Sequence, residues 1–251
     1  MWRQLFSPKW LCTHIGVIAL IVLMTNLGFW QLRRLDEKQA FNSRVTDQST
    51  RAPSALAEVF FTDVPPSSIE WRQVVVEGKY VPSQSVTIIN RSQDGSAGYD
   101  SLVPLRTNNG SIILVNRGFV PLAMATPTPP TGQIRVTGYL RQSQSRSTLG
   151  AIDSSNELTT EFQRFDIPRI SQAISGSVLP MFVQRISETP TTAAQWPAVV
   201  ALPVLDEGPH FSYAMQWFFF SLVALTAWVV VIRRKLTETI SSVAAPGQTS
   251  A

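Results

Sequence analysis

The chain has 251 residues, of which 44% are hydrophobic and only 15% are charged, and its formal net charge is +4. The basic residues are scattered or lie beside two long apolar segments, and no basic stripe is interleaved with aromatic residues, so we expect no binding to nucleic acid. The single cysteine, Cys12, excludes a disulfide framework and a C-x-x-C thiol oxidoreductase.

The first apolar segment, Leu11–Trp30, holds 20 residues without a formal charge. About 20 apolar residues at ~1.5 Å rise each are enough to cross a bilayer, so we predict a transmembrane helix over residues 11–32. A cleaved signal peptide is the competing interpretation. The segment is long for a signal peptide and Gly28-Phe29-Trp30-Gln31 offers no A-x-A-like cleavage site, which favours an uncleaved anchor after a cytoplasmic N-terminus of residues 1–10.

The helical spacing of apolar residues among charged ones predicts that this helix continues beyond the bilayer. A polar stripe then lies along one face of the helix. One interpretation is an interfacial belt followed by a solvated surface, and the other is a stripe that faces the second apolar segment or a bound group. The residues of the stripe are Asn26, Trp30, Arg33 and Glu37.

Residues 33–207 are predicted to form one mostly antiparallel β domain with one or two helices, of α+β class and barrel-like. Short stretches that alternate in polarity and end in turn residues are typical of a small barrel or curled sheet. Asn109-Gly110 predicts a hairpin because both residues accept a positive φ, and Asp166 is predicted to cap a helix that ends near Ile174. The predicted strands are Trp71–Tyr80, Val86–Asn90, Tyr99–Arg106, Ser111–Phe119, Gln133–Arg141 and Val178–Ile186.

The second apolar segment, Phe211–Ile232, has 22 residues without a formal charge and predicts a transmembrane helix over residues 210–232. A basic cluster, Arg233-Arg234-Lys235, follows it at once. Because such clusters stay cytoplasmic, the tail 233–251 is predicted to lie inside and the β domain outside. Two spans then place both termini inside. About 10 residues before the first span leave no room for an organellar transit peptide, which favours a bacterial plasma membrane.

Motifs for catalysis are few, and we expect no enzyme. Gly95-Ser96-Ala97-Gly98 fails the spacing of a G-x-S-x-G nucleophile turn, and neither a G-x-G-x-x-G motif nor a P-loop occurs. The two histidines, His14 and His210, lie at opposite ends of their predicted spans, about 16 residues or ~24 Å apart in depth. They cannot share one iron or one catalytic site, so the residues favour binding or assembly.

An ordered set of short motifs carries a resemblance to a known family. The set begins at Gly28-Phe29-Trp30-Gln31-Leu32-Arg33-Arg34-Leu35, continues through Asn90-Arg91 and Val115-Asn116-Arg117-Gly118-Phe119-Val120-Pro121, and ends at His210-Phe211-Ser212-Tyr213-Ala214-Met215-Gln216-Trp217-Phe218. In this order, between two apolar spans, the chain resembles the Surfeit locus protein 1 family of cytochrome c oxidase assembly factors. Phe119 departs from the family pattern, in which tryptophan is usual.

The resemblance implies a chaperone-like role in the respiratory chain, in which a-type haem is bound transiently for insertion into haem-copper oxidase. His210 stands at the position that binds this haem in the resemblance, and a neutral imidazole is a good iron ligand. The alternative is an interfacial histidine hydrogen-bonded to a loop. Groups at the same depth would supply stacking, hydrogen bonds and charge for the propionates. The cofactor-binding candidates are His210, Trp30, Gln31, Arg33, Arg34, Tyr213 and Trp217.

The implied partners are the catalytic subunit of cytochrome c oxidase, the haem a synthesis enzymes and the lipid bilayer. Arg91 and Arg117 are candidates for docking a partner, and salt bridges at a sheet edge are the alternative for both. A second hypothesis for the whole chain is a cofactor-free structural partner that stabilises oxidase subunits through its β domain.

Overall fold

The computed structural model describes residues 7–60, 64–148, 150–154, 159–192 and 194–244. The predicted cytoplasmic ends, 1–10 and 233–251, therefore lie partly outside the described residues. The chain divides into two compact units. The helix unit combines Met1–Asn42 with Leu205–Ala251, and the β unit comprises Ser43–Val204, so the β unit begins ten residues later than the predicted boundary at 33.

Two long helices dominate the helix unit. Among the residues that the structure describes, both are long and apolar enough to cross a membrane by length and composition. The first is continuous well past the predicted span, as the spacing of its apolar residues predicts. The helices are α1 (Pro8–Ser49), α2 (Leu56–Val59), α3 (Pro66–Ile69), α4 (Ile167–Ile170) and α5 (His210–Ala244).

The β unit contains a mixed sheet of eight strands in the order β1-β2-β6-β8-β5-β4-β3-β7, and β2 also pairs with β4. The pairs β1–β2, β5–β8 and β3–β7 are parallel, and the other pairings of the described strands are antiparallel. The strands are β1 (Ser54–Ala55), β2 (Gln73–Tyr80), β3 (Val86–Gln93), β4 (Ser96–Thr107), β5 (Ile112–Pro121), β6 (Ile134–Gln142), β7 (Glu161–Phe162) and β8 (Val178–Thr189).

Strand β5 is buried on both faces, from Ile112 to Val120. One face contributes Ile113 and Val115 to a cluster with residues of β2, β4, β6 and β8. The other face contributes Ile112 and Leu114 to a second cluster that includes α4 and the segment around Phe165. Two apolar layers thus explain why the strand begins with four apolar residues in succession, 112–115, rather than with an alternation of apolar and polar residues.

The predicted cap at Asp166 is confirmed. Its Oδ1 accepts a hydrogen bond from the backbone N–H of Arg169 at 3.2 Å, which satisfies one of the free donors in the first turn of α4. A short 3₁₀ turn, Ser171–Ala173, follows α4 and ends just before Ile174, where the helix was predicted to end. The cap therefore fixes the start of α4, whose Ile167 and Ile170 belong to the second apolar cluster.

The predicted hairpin joins β4 to β5. The backbone N–H of Gly110 donates to the Thr107 carbonyl at 3.0 Å, and that of Thr107 donates to the Ser111 carbonyl at 2.9 Å. Gly110 has φ of 89°, in the left-handed region, whereas Asn109 contributes its side chain, whose Oδ1 accepts from the Ser111 N–H at 3.2 Å. Only the glycine therefore needs the unusual backbone conformation.

We expect Gly110→Val to destabilise the chain by about 1 kcal/mol or more, because a β-branched residue is strained at this φ. Gly110→Asn is the matched control, since asparagine tolerates the left-handed region. Denaturant unfolding of the full chain in detergent measures both. Equal stability of wild type and the valine variant would contradict the assignment of the turn.

Candidate functional site

Helices α1 and α5 pack against each other within the helix unit. A Cβ added to Gly28 would lie 2.5 Å from the ring of Phe218, so any larger residue would force that ring to move. Nearby, the hydroxyl of Thr25 donates to that of Ser221 at 3.3 Å. Small residues that let helices approach, with a hydroxyl bond across the contact, are typical of helix pairs in membranes.

His210, at the start of α5, contacts α1 through Gln31. Its Nδ1 lies 2.8 Å from Oε1 of Gln31, and the imidazole is half-buried. When the amide oxygen accepts, Nδ1 carries the proton and Nε2 keeps its lone pair, which is how outer hydrogen bonds set the tautomer of metal-ligating histidines. Nε2 has no hydrogen-bond partner among the described residues, so it is available to a ligand.

The chain reaches His210 through a short segment held on α1. The amide of Gln39 donates to the carboxylate of Glu207 at 3.1 Å, and that of Asn42 donates to the carbonyl of Asp206 at 3.1 Å. Gly208 then turns the chain with φ of 65°, and a Cβ there would lie 3.5 Å from Nε2 of His210. These contacts set where α5 begins, and hence where the imidazole lies.

The polar stripe of α1 does not face α5, so the interpretation in which it faces the second apolar segment is wrong. Trp30 is 46% exposed, and Arg33 is exposed and lies about 200° around the helix from Gln31. Arg34 is bound to Glu37, with Nη1 at 2.6 Å from Oε2. The close approach at Gly28 decides the rotation of α1, and it turns Gln31 rather than the stripe toward α5.

The other candidates on α5 lie on different sides of the helix. Tyr213 is 48% exposed. Trp217 is half-buried two turns after His210, and its ring meets that of Phe220 edge to face, with centroids 6.2 Å apart. The structure therefore brings Gln31 and His210 together and leaves the remaining predicted groups around them at the helix surface.

His14 belongs to the opposite end of the helix pair. Its ring lies 5.0 Å from that of Trp228 on α5 and 5.8 Å from that of Trp10. Gln31 follows His14 by 17 residues on the same continuous helix, roughly 26 Å at the α-helical rise. The two histidines are thus separated, as predicted, and His14 packs among aromatic rings.

Arg117 corrects the docking prediction, because its side chain is 0% exposed and cannot reach a partner. It forms two hydrogen bonds with Glu188, from Nη2 to Oε1 at 2.7 Å and from Nε to Oε2 at 3.3 Å. Arg185 Nη1 donates to the same carboxylate at 3.0 Å, and the Tyr80 hydroxyl donates to it at 2.9 Å. A buried charge persists only when it is paired and hydrogen-bonded in this way.

The cluster sets the ionisation of its members. Burial by itself would raise the pKa of Glu188, but the hydrogen bond and charge of Arg117 and the charge of Arg185 outweigh it and lower that pKa. Burial, and then the charge of Glu188, raise the pKa of the Tyr80 phenol far above its usual value. Glu188 is therefore a carboxylate and Tyr80 a hydrogen-bond donor at neutral pH.

Arg91, the other docking candidate, is half-buried beside a polar cavity in the β unit. Its Nε lies 3.7 Å from Oδ2 of Asp100, whose pKa is raised by burial. Neither Asp100 nor Glu188 was predicted as a functional residue. The sequence signal for both residues is a carboxylate at a position of a strand that faces the core. Recognising that position requires the strand register, which the sequence alone does not give.

Among the residues that the structure describes, no group of three His, Cys, Asp or Glu side chains is arranged to hold a metal ion. In the part of the chain that the structure describes, His210 therefore does not belong to a group of three such side chains.

The fold and the site define a class of protein in which a mixed β domain lies in sequence between two long apolar helices that meet at a histidine–glutamine contact. The chain belongs to the SURF1 family, whose model matches residues 18–222. This confirms the family predicted from the motifs.

Relatives support the same membership. An uncharacterized SURF1-like protein of Mycobacterium bovis is 25% identical over 227 residues, which cover 88% of this chain and 82% of that protein. A SURF1-like protein of Rickettsia bellii is 25% identical over 239 residues, covering 92% of each chain. One of Monosiga brevicollis is 26% identical over 236 residues, covering 88% of this chain and 87% of that protein.

We expect Glu188→Gln to destabilise the chain by about 3–5 kcal/mol, because it leaves the Arg117 charge buried without its counter-ion. The folded-state pKa of Glu188 lies below its ordinary value of 4.5, so its contribution is present above that pH and is lost as the pH falls through the folded value. The stability difference between wild type and variant should therefore narrow in acid. Denaturant unfolding at a series of pH values measures this.

The matched control is Glu77→Gln. Glu77 pairs with Arg135 at 2.5 Å between neighbouring strands, but both side chains are exposed. An exposed pair contributes under about 1 kcal/mol, so this variant should stay close to wild type. If the two variants lose equal stability, the buried cluster does not have the importance assigned to it.

Proposed function

We propose that this protein is a membrane-bound assembly factor for haem-copper cytochrome c oxidase, and that it binds a-type haem through His210 and assists its insertion into the catalytic subunit. Membership of the SURF1 family supports the assembly role. The observation that carries the haem site is the contact between Nδ1 of His210 and Oε1 of Gln31, at 2.8 Å.

Insertion in the membrane is supported by the two long apolar helices. Large apolar side chains are exposed along both, including Ile15 and Leu23 on α1 and Phe219 and Leu222 on α5. Such contiguous exposed apolar surface is unfavourable in water and suits lipid. The additional pairing of β2 with β4 in turn supports the barrel-like interpretation of the β domain.

The residues at His210 fit a haem ligand on chemical grounds. Gln31 holds the proton on Nδ1, and Nε2 is left as a neutral nitrogen donor of the kind that binds haem iron. Phe211 and Tyr213, both exposed, provide aromatic surface within one turn of the imidazole. Arg33 is an exposed cation that suits an anionic propionate. Bound haem would supply a redox-active iron.

The role of this chain is then to hold and orient rather than to catalyse. Gln31 fixes the imidazole tautomer and ring plane, and the bonds from Gln39 and Asn42 to the segment before α5 hold the helix start. Because the imidazole is half-buried rather than enclosed, the ligand remains accessible for transfer to the catalytic subunit. A site of this kind suits transient binding.

We expect His210→Ala to lose most of the bound haem while the protein still inserts in the membrane. The full chain would be co-expressed with haem a synthesis enzymes, solubilised in detergent and examined by absorption spectroscopy. The physical reason is the loss of the imidazole that would bind the iron, since the other histidine, His14, packs against Trp228 at the opposite end of the helix pair.

His14→Ala is the matched control and should keep the wild-type spectrum, since His14 packs against Trp228 at the other end of the pair. Gln31→Leu should weaken haem binding without abolishing it, because the ligand remains but its orientation is lost. A wild-type spectrum and stoichiometry in His210→Ala would reject the ligand assignment. Stable co-isolation with oxidase and no pigment would favour the cofactor-free structural partner.

A separate prediction concerns topology. Because the cluster Arg233-Arg234-Lys235 follows the second span, we expect both termini in the cytoplasm and the β domain outside. An alkaline phosphatase fusion after Gly132 should be active, and one after Gln248, a position outside the described residues, should be inactive. The reverse pattern of activity would overturn the orientation.

A further inference from the structure

A polar cavity of about 270 Å³ lies in the β unit. The cavity forms where the residues of β4, β5 and β8 change from apolar to polar. Leu102, Leu114 and Phe182 belong to the second apolar cluster. Two residues farther along the same strands the lining becomes polar, and the polar lining residues include Asp100, Asn116, Gln184, Arg91 and Arg141.

The backbone conformation of β3 places Arg91 at this cavity. Asn90 has φ of 59°, and the pairing of β3 with β4 shifts register between Ile88 and Arg91. Such a bulge redirects the side chain that follows it, and asparagine tolerates the left-handed backbone conformation found here. The amide of Asn90 holds the conformation by donating to Oε1 of Gln163 at 2.7 Å.

The guanidinium of Arg91 lies over a pair of stacked aromatic rings. Its Cζ lies 5.1 Å from the ring centroid of Phe165, and Phe165 stacks on Phe182 with centroids 4.3 Å apart. An arginine over an aromatic face keeps its in-plane donors free for another group. This contact fixes the position of the Arg91 guanidinium group before a ligand binds.

Two donors of this guanidinium group are unsatisfied. Nε and Nη2 of Arg91 are buried and make no hydrogen bond with any residue in the described part of the chain. Oδ2 of Asp100 lies 3.7 Å from Nε, beyond hydrogen-bond distance. Nε and Nη2 share the guanidinium edge that binds a carboxylate through two parallel hydrogen bonds, and buried donors left unpaired are costly.

The other polar groups of the cavity are already engaged. The amide of Asn116 donates to Asp100 at 3.3 Å. Arg141 donates to Gln184 at 2.9 Å and to Glu70 at 3.3 Å. Two guanidinium groups and one carboxylate line the cavity, and Arg141 is already paired with Glu70. Among the lining residues that the structure describes, Arg91 is the cation with donors left for a ligand.

We propose that this cavity binds a small organic carboxylate, whose carboxyl group occupies the Nε–Nη2 edge of Arg91 and whose hydrocarbon part packs on Phe165 and Phe119. Ligand pockets usually measure about 300–1,000 Å³, so the volume restricts the ligand to a few carbon atoms. The aromatic walls favour a carboxylate over inorganic phosphate, which has no apolar part. This site is independent of the haem proposal.

The test uses the full chain in detergent with butyrate as the probe. Thermal unfolding is followed as butyrate replaces chloride at constant ionic strength and pH. We expect a saturable rise in Tm of about 3 °C or more in wild type. Arg91→Gln should lose the rise, whereas Arg135→Gln, which removes an exposed guanidinium on β6, should keep it.

A second measurement does not depend on the folding of a variant. Phenylglyoxal modification of the wild-type chain, mapped by mass spectrometry, should slow several-fold at Arg91 when butyrate is present and stay unchanged at Arg135. No saturable effect of butyrate in either assay would overturn the proposal, as would an equal rise in Arg91→Gln. Equal stabilisation by inorganic phosphate would overturn the assignment to carboxylates.

Discussion

The β unit depends on one buried ion pair, that of Arg117 with Glu188, whose side chains are 0% and 1% exposed. An uncompensated charge at that depth would be severely destabilising, so the surrounding chain must supply partners. Tyr80 reaches the carboxylate from β2 and Arg185 from β8. The Arg117 and Arg185 guanidinium groups also donate to the carbonyls of Pro127 and Pro197, which ties two long loops to the strands. The pair thus links strands distant in sequence.

The helix unit depends on a different constraint, the close approach of α1 and α5 at Gly28. That approach selects the face of α1 that meets α5, and it places Gln31 beside His210 at 2.8 Å. The same choice leaves Trp30 and Arg33 on other faces. The absence of a side chain at Gly28 therefore determines that Gln31 is the residue of α1 that contacts His210. The proposed haem ligand is oriented as a consequence of packing, and the proposed carboxylate site is oriented by the left-handed backbone conformation at Asn90.

Local sequence patterns predicted most of the individual helices, strands and turns, because each pattern depends on one element alone. The alternation in Gln73–Tyr80 corresponds to one buried and one open face of β2, and Asn109-Gly110 corresponds to the turn between β4 and β5. Strand polarity and partnership leave no such local signal. The parallel pairing of β5 with β8 and the additional pairing of β2 with β4 therefore remained unpredicted. Arg117 was expected at the surface for the same reason, since its burial depends on a partner 71 residues away.

The sequence by itself determined the two long apolar helices, the strands between them, the family and the pair of histidines at opposite ends, because hydrophobic periodicity, turn residues and motif order are properties of the chain alone. Only the tertiary structure decided that Gln31 is the partner of His210, that Arg117 is buried with Glu188 and that Arg91 points its unpaired donors into a cavity. Each of these depends on helix rotation or strand register, which the packing of distant residues selects.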